Sequence, residues 1–105
     1  MKKQKEKFIT QIKVQNYKFS LRITAHAQQR VDERNIDEYV LAGEVLALGK
    51  NLIKLHKTQD EAIIIDKIKN ISVVVGFKKN TIKIITVIDK SNVFVKSNTE
   101  IFKIA

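Results

Sequence analysis

The chain has 105 residues, enough for one domain with a single core, and its 44% hydrophobic content marks a folded protein and not a disordered tail. Twenty Lys+Arg against eleven Asp+Glu leave a net charge of +9, which makes polyanions the natural partners: nucleic acid first, an acidic membrane or an acidic protein second. The absence of cysteine excludes a disulfide framework and a thiolate metal site, and fits a reducing cytoplasm.

The opening residues, MKKQKEKF, have the charge of a signal-peptide n-region, but FITQIKVQNY supplies no apolar h-region and no longer hydrophobic span follows. Residues 1–7 therefore read as a solvated basic arm, either a solubilising terminus or a nucleic-acid-binding tail, and residues 8–105 as one domain. No membrane span is expected. From Phe8 to Ile23 the pattern alternates through Ile12, Val14, Tyr17, Phe19, Leu21 and Ile23, broken by Gln15-Asn16, which predicts a hairpin of two half-buried strands. Thr24 stops the alternation and is a fitting N-cap for a first helix over 25–34. Asn35 followed by Glu38 has the spacing of a capping box and predicts a second helix over 36–48, ending at Gly49, with Tyr39, Val40, Leu41, Val45, Leu46 and Leu48 at helical spacing.

After Gly49 the period changes to two. Strands are predicted over 52–56, 62–68, 71–77 and 81–88, with weaker ones over 93–96 and 101–104, and turns at Asp60-Glu61, Lys69-Asn70, Lys79-Asn80 and Ser97-Asn98. With no proline and no Gly/Ser linker the chain is undivided. The fold class this predicts is α+β: an N-terminal hairpin, then two helices packed on a curled, mainly antiparallel sheet.

The residues with chemical potential gather on the first helix. Two of the three arginines, Arg30 and Arg34, and one of the two histidines, His26, fall in TAHAQQRVDER. His26 would occupy the second helical position, where free N–H groups and the positive end of the helix favour an anion. A phosphate held between those N–H groups, His26 and Arg30 is one reading, because a guanidinium forks two phosphate oxygens where an ammonium offers a point charge. The other is that Arg30 and Arg34 form solvated helix salt bridges with Asp32, Glu33 or Glu38, each worth about 0.3–0.5 kcal/mol. His56, in LIKLHK, shares a predicted strand face with Lys54 and reads as exposed and without a catalytic partner. Among the lysines, Lys54, Lys78, Lys79 and Lys83 are the candidate nucleic-acid contacts, Lys78-Lys79 at a hairpin tip foremost, although lysines on sheets also simply protect edges. Tyr17 and Phe77 could stack bases, but core packing is the commoner use of such residues. No glycine-rich phosphate loop, H-E-x-x-H, paired acidic metal site or nucleophile elbow occurs, so neither a metal nor another cofactor is expected.

The stretch ITAHAQQRVDERNIDEYV resembles the H-A-x-x-R-x-x-x-R-x-I segment of small bacterial and phage domains grouped with the RelE/ParE toxin superfamily, to which the BrnT-type toxins are related. In outline the resemblance covers residues 17–89, with the late-strand run IKIITVID similar to theirs, and its specific part is the helix segment. It implies the RelE-like scaffold of toxin endoribonucleases, with His26, Arg30 and Arg34 as motif residues and Thr86 in the matching late strand. The implied reaction is metal-independent RNA cleavage by attack of the ribose 2′-hydroxyl on the adjacent phosphate. The implied partners are RNA and a separately encoded antitoxin or other acidic protein. Ribosome-dependent members often use arginine and tyrosine near the carboxyl end, whereas here no arginine follows Arg34 and the last strands offer Phe94, Lys96, Phe102 and Lys103. The ParE branch acts on gyrase, so an alternative from a different class is a non-catalytic module that binds nucleic acid or an acidic protein as an inhibitor.

Overall fold

The fold was obtained as a computed structural model that describes residues 6–93, 95 and 99–104. Its elements are β1 (Lys7–Val14), β2 (Tyr17–Ile23), α1 (Ala25–Glu33), α2 (Glu38–Leu46), α3 (Asn51–Thr58), β3 (Ala62–Asp66), β4 (Ile71–Lys78), β5 (Thr81–Ile88) and β6 (Glu100–Ile104). The six strands form one sheet in the order β1-β2-β5-β4-β3-β6.

This corrects the expected architecture of two helices on a mainly antiparallel sheet. Among the described residues there are three helices, and the sheet is mixed: β1–β2, β3–β4 and β4–β5 are antiparallel, while β2–β5 and β3–β6 are parallel. The extra helix is α3, in place of the strand predicted over 52–56. Leu48, Leu52 and Leu55 are all buried, at the three-to-four-residue spacing of a helix face, and over so short a run this spacing competes with the alternation of LIKLH. Gly49, at φ +54°, does not end the helical region but makes the turn between α2 and α3. The expected capping box also shifts: Asn35 takes φ +53° just after α1, and Asp37 is the true N-cap of α2, accepting from the Tyr39 N–H at 2.9 Å. Thr24 caps α1 as its sequence predicts, with its Oγ1 accepting from Ala27 N–H at 3.1 Å.

Alternation sorts the sheet into two faces. Phe19, Leu21 and Ile23 of β2, Ile82 and Ile84 of β5, Val73, Val75 and Phe77 of β4 and Ile64 of β3 join Ala27, Val31, Leu41, Val45, Leu52 and Leu55 of the helices in one core. Among the described residues no helix lies on the opposite face. Over β3 and β4, Val93 and Val95 of the stretch after β5 line clefts together with Ile63, Ile65 and Val74. Val93 and Val95 are not in a strand; Phe94, Lys96 and the predicted Ser97-Asn98 turn fall outside the described residues, as do residues 1–5 of the arm. Strand β1 begins at Lys7, whose ammonium meets Glu38 of α2 at 2.5 Å and ties the edge strand to the helix layer. No helix among the described residues is long and apolar enough to cross a membrane.

Candidate functional site

Parallel pairing of β2 with β5 runs only from Ser20–Thr81 to Ile23–Ile84. Beyond that point α1 takes the place of β2 beside β5. The junction is pinned by Thr24, whose N–H donates to the Ile84 carbonyl at 3.1 Å and whose hydroxyl donates to the Ile85 carbonyl at 3.1 Å. At this level β5 carries a bulge: Val75 pairs with Ile84 but Val74 with Thr86, leaving Ile85 as the extra residue. The bulge reverses the alternation, so that Val87 enters the core and Thr86 turns to the helix-free side. Strict alternation from Ile82 and Ile84 would have buried Thr86.

The result is a cleft of about 260 Å³ lined by His26 and Arg30 from α1, by Arg34 at its C-cap, and by Thr86, Val87, Ile88, Asp89 and Lys90 at and just past the end of β5. All four residues that the helix segment and late strand single out, His26, Arg30, Arg34 and Thr86, therefore meet in one place. Helical spacing explains the first three: positions 26, 30 and 34 are successive steps of four along one ridge. His26 and Arg30 are exposed, and Thr86 is half-buried.

Neither arginine makes the intrahelical pairs that the sequence allowed. Arg34 Nε lies 3.3 Å from Asp89 Oδ2 across the cleft, while Asp32 and Glu33 accept from the glutamine amides of Gln28 and Gln29. The Arg34–Asp89 side chains are 47% and 51% exposed, so theirs is a surface ion pair of the class worth about 0–1 kcal/mol and open to exchange with a phosphate. Arg30 has no ion-pair partner among the described residues. Lys90 was not singled out as a site residue, and adds a further cation to the lining.

The four candidate lysines do not form one patch. Lys54 is on α3, exposed beside Lys50 and Lys57. Lys78 and Lys83 stand on the helix-free face, Lys83 with its Nζ 2.6 Å from Glu6 Oε2. Lys79 occupies the β4–β5 turn at φ +54°, where its N–H donates to Gln59 Oε1 at 2.7 Å. His56 corrects its sequence reading. It lies on α3, half-buried, in edge contact with Tyr17 and Phe19 at ring distances of 5.7 and 5.3 Å, and its Nδ1–H donates to the Lys79 carbonyl at 2.9 Å. It is a clamp between α3 and the β4–β5 turn. Tyr17 and Phe77 likewise belong to the core and its margin.

One ionisable cluster escaped sequence reasoning. Glu44 of α2 and Asp66 at the end of β3 are each only 3% exposed, with Lys69 Nζ 3.6 Å and 3.7 Å from their carboxyl groups. Asp66 accepts from the N–H groups of Ile68 and Lys69, both at 3.0 Å. Burial pushes the Glu44 carboxyl up to about 7, with the adjoining Asp66 adding to the rise and Lys69 opposing it. Asp66 is held below its ordinary value, chiefly by the Lys69 N–H and then by a hydrogen bond with Glu44. The two carboxyl groups are thus shifted in opposite directions. Neither lines the cleft. Glu44 sits where helical periodicity faces it inward, a position legible in the sequence, but its partner comes from a strand 22 residues on (66 − 44), a contact the periodicity does not specify.

Among the described residues no group of three or more His, Cys, Asp or Glu side chains is arranged to hold a metal ion. Compared with family models, curated proteins and solved structures, the chain has no significant match.

Proposed function

We propose that the chain is a metal-independent endoribonuclease of toxin type that works in the cleft between α1 and the end of β5. The observation that carries this reading is the convergence of an imidazole, two guanidiniums and a hydroxyl on one small open cleft in a protein of net charge +9. The resemblance of the His26–Arg34 segment to RelE/ParE-superfamily toxins supports the same reading. A cytoplasmic setting, which the lack of cysteine fits, belongs to this proposal.

In the proposed reaction a phosphodiester enters beside Arg30 and displaces Asp89 from Arg34. His26 removes the proton of the ribose 2′-hydroxyl, whose oxygen attacks the adjacent phosphorus. The bond to the 5′-oxygen breaks, leaving a 2′,3′-cyclic phosphate and a 5′-hydroxyl that takes its proton from the imidazolium or from water. Arg30 and Arg34 hold the non-bridging oxygens as charge accumulates on them, and the Thr86 hydroxyl donates a further hydrogen bond. The test is incubation of the purified protein with RNA in the presence of a chelator, beside His26→Ala. Cyclic-phosphate ends from the wild type alone are expected; equal cleavage by both proteins would remove His26 from the mechanism.

A second reading, a non-catalytic module that binds nucleic acid or an acidic protein as an inhibitor, is favoured by one observation: Asp89 already occupies Arg34, as a partner's carboxylate would. It predicts salt-sensitive binding without turnover. A separately encoded acidic antitoxin covering the cleft is compatible with either reading.

A further inference from the structure

Away from the cleft, the helix-free face of β1, β2 and β5 carries charge in rows. Cross-strand partners share a face, so Lys13 stands opposite Lys18, Phe8 opposite Arg22, and Arg22 beside Lys83. Like charges placed directly opposite each other destabilise a sheet, and neither Lys13 nor Lys18 has an ion-pair partner among the described residues. Edge protection explains Lys13 on β1, but Lys18, Arg22 and Lys83 are on the interior strands β2 and β5, where there is no edge to protect. Phe8 is 49% exposed in the midst of this charge, while its neighbour Ile9, beside the β1 bulge, packs against the core. Among the described residues the anion that pairs with these cations is Glu6. Its carboxylate lies 3.7 Å from Arg22 Nε and 2.6 Å from Lys83 Nζ, the position a phosphate would take between the same two cations.

We infer that this face binds single-stranded RNA, with a base stacked on Phe8 and phosphates held by Lys13, Lys18, Arg22 and Lys83. The inference rests on the ribonuclease reading for the identity of the ligand and supplies the route by which a strand reaches the cleft: Lys83 and Thr86 are three residues apart on β5, about 10 Å at strand spacing. A single strand suits the face because its bases have free planes to stack on an aromatic ring, whereas a duplex hides them. A ring set among cations suits an anionic membrane less well than it suits a nucleic acid.

The test measures binding by the full chain of a labelled, short 2′-O-methyl oligoribonucleotide, which lacks the attacking hydroxyl, and of the same sequence as a duplex. The single strand is expected to bind more tightly. Phe8→Ala should weaken it about 5- to 100-fold and Phe8→Tyr should not. Lys13→Gln with Lys18→Gln should reduce the slope of log affinity against log salt by about 1.4, while Lys57→Gln with Lys67→Gln, equal in charge, leaves it unchanged. Glu6→Gln, which frees Arg22 and Lys83, should tighten binding about 2- to 5-fold, on the scale of a surface ion pair. Equal effects of the two lysine pairs, preference for the duplex, or binding only to phosphatidylserine vesicles would overturn the inference. Binding that follows these residues without cleavage of unmodified RNA would sink the ribonuclease reading and leave the surface standing; cleavage indifferent to them would do the reverse.

Discussion

Single side chains decide whether the cleft is catalytic. His26→Ala is expected to lower the cleavage rate about 10²- to 10⁴-fold, the range of general acid–base help, and Arg30→Ala about 10²- to 10³-fold, as for loss of one charge-stabilising group. Both residues are exposed on α1, so circular dichroism and the urea midpoint should stay at wild-type values. Asp89→Asn releases Arg34 and should strengthen binding of inorganic phosphate or RNA; unchanged affinity would show that the Arg34–Asp89 pair does not compete for the site. Glu44 sets a separate dependence, on stability. Its carboxyl ionises at 4.5 in the ordinary state and at about 7 in the fold, so between those values the folded chain holds the extra proton. Stability from this group is full below the lower value and is lost as the pH climbs through the upper one. Asp66 acts in the opposite sense, its contribution fading as acid is added toward and below its lowered value. The urea midpoint should therefore be lower at about pH 8 than at about pH 6, and Glu44→Gln should flatten that difference. A wild-type slope that survives the substitution would assign it to other groups.

At the scale of elements, the junction of β2 with α1 aligns the site. Thr24 joins them by capping α1 and by bonding the Ile85 carbonyl at the bulge, so Thr24→Ala should cost about 1–2 kcal/mol in urea unfolding, with Thr24→Ser close to wild type. The elements that local signals specify strongly were legible: the hairpin broken at Gln15-Asn16, the Thr24 cap and the β5 strand over 81–88. The helix Asn51–Thr58 was not, because Ile53 and Leu55 alternate with Lys54 and His56 as in a strand while Leu52 and Leu55 keep helical spacing, and only packing against the core decides between them. The bulge at Ile85 was also hidden. Nothing in KIITVI marks the extra residue, since every neighbour is apolar or β-branched, yet it decides that Thr86 reaches the cleft. The three helical site residues were readable from their spacing of four; that Asp89 would answer Arg34 depended on this long-range geometry.

For the whole molecule, composition foretold a basic surface but not its division among the cleft, the α3 lysines and the open sheet face. That division follows from strand order, which the sequence left undetermined: β2 could have ended at an edge, and instead it lies between β1 and β5. Its parallel neighbour is far along the chain, Ser20 meeting Thr81 after 61 residues (81 − 20). Closing so long a loop must wait until the intervening segments are made, and pairings of this kind slow folding. During synthesis the amino-terminal hairpin therefore emerges with one side of β2 unpaired, a stage at which its bare backbone is open to capture by other chains, until β5 arrives and completes hairpin, sheet and cleft together.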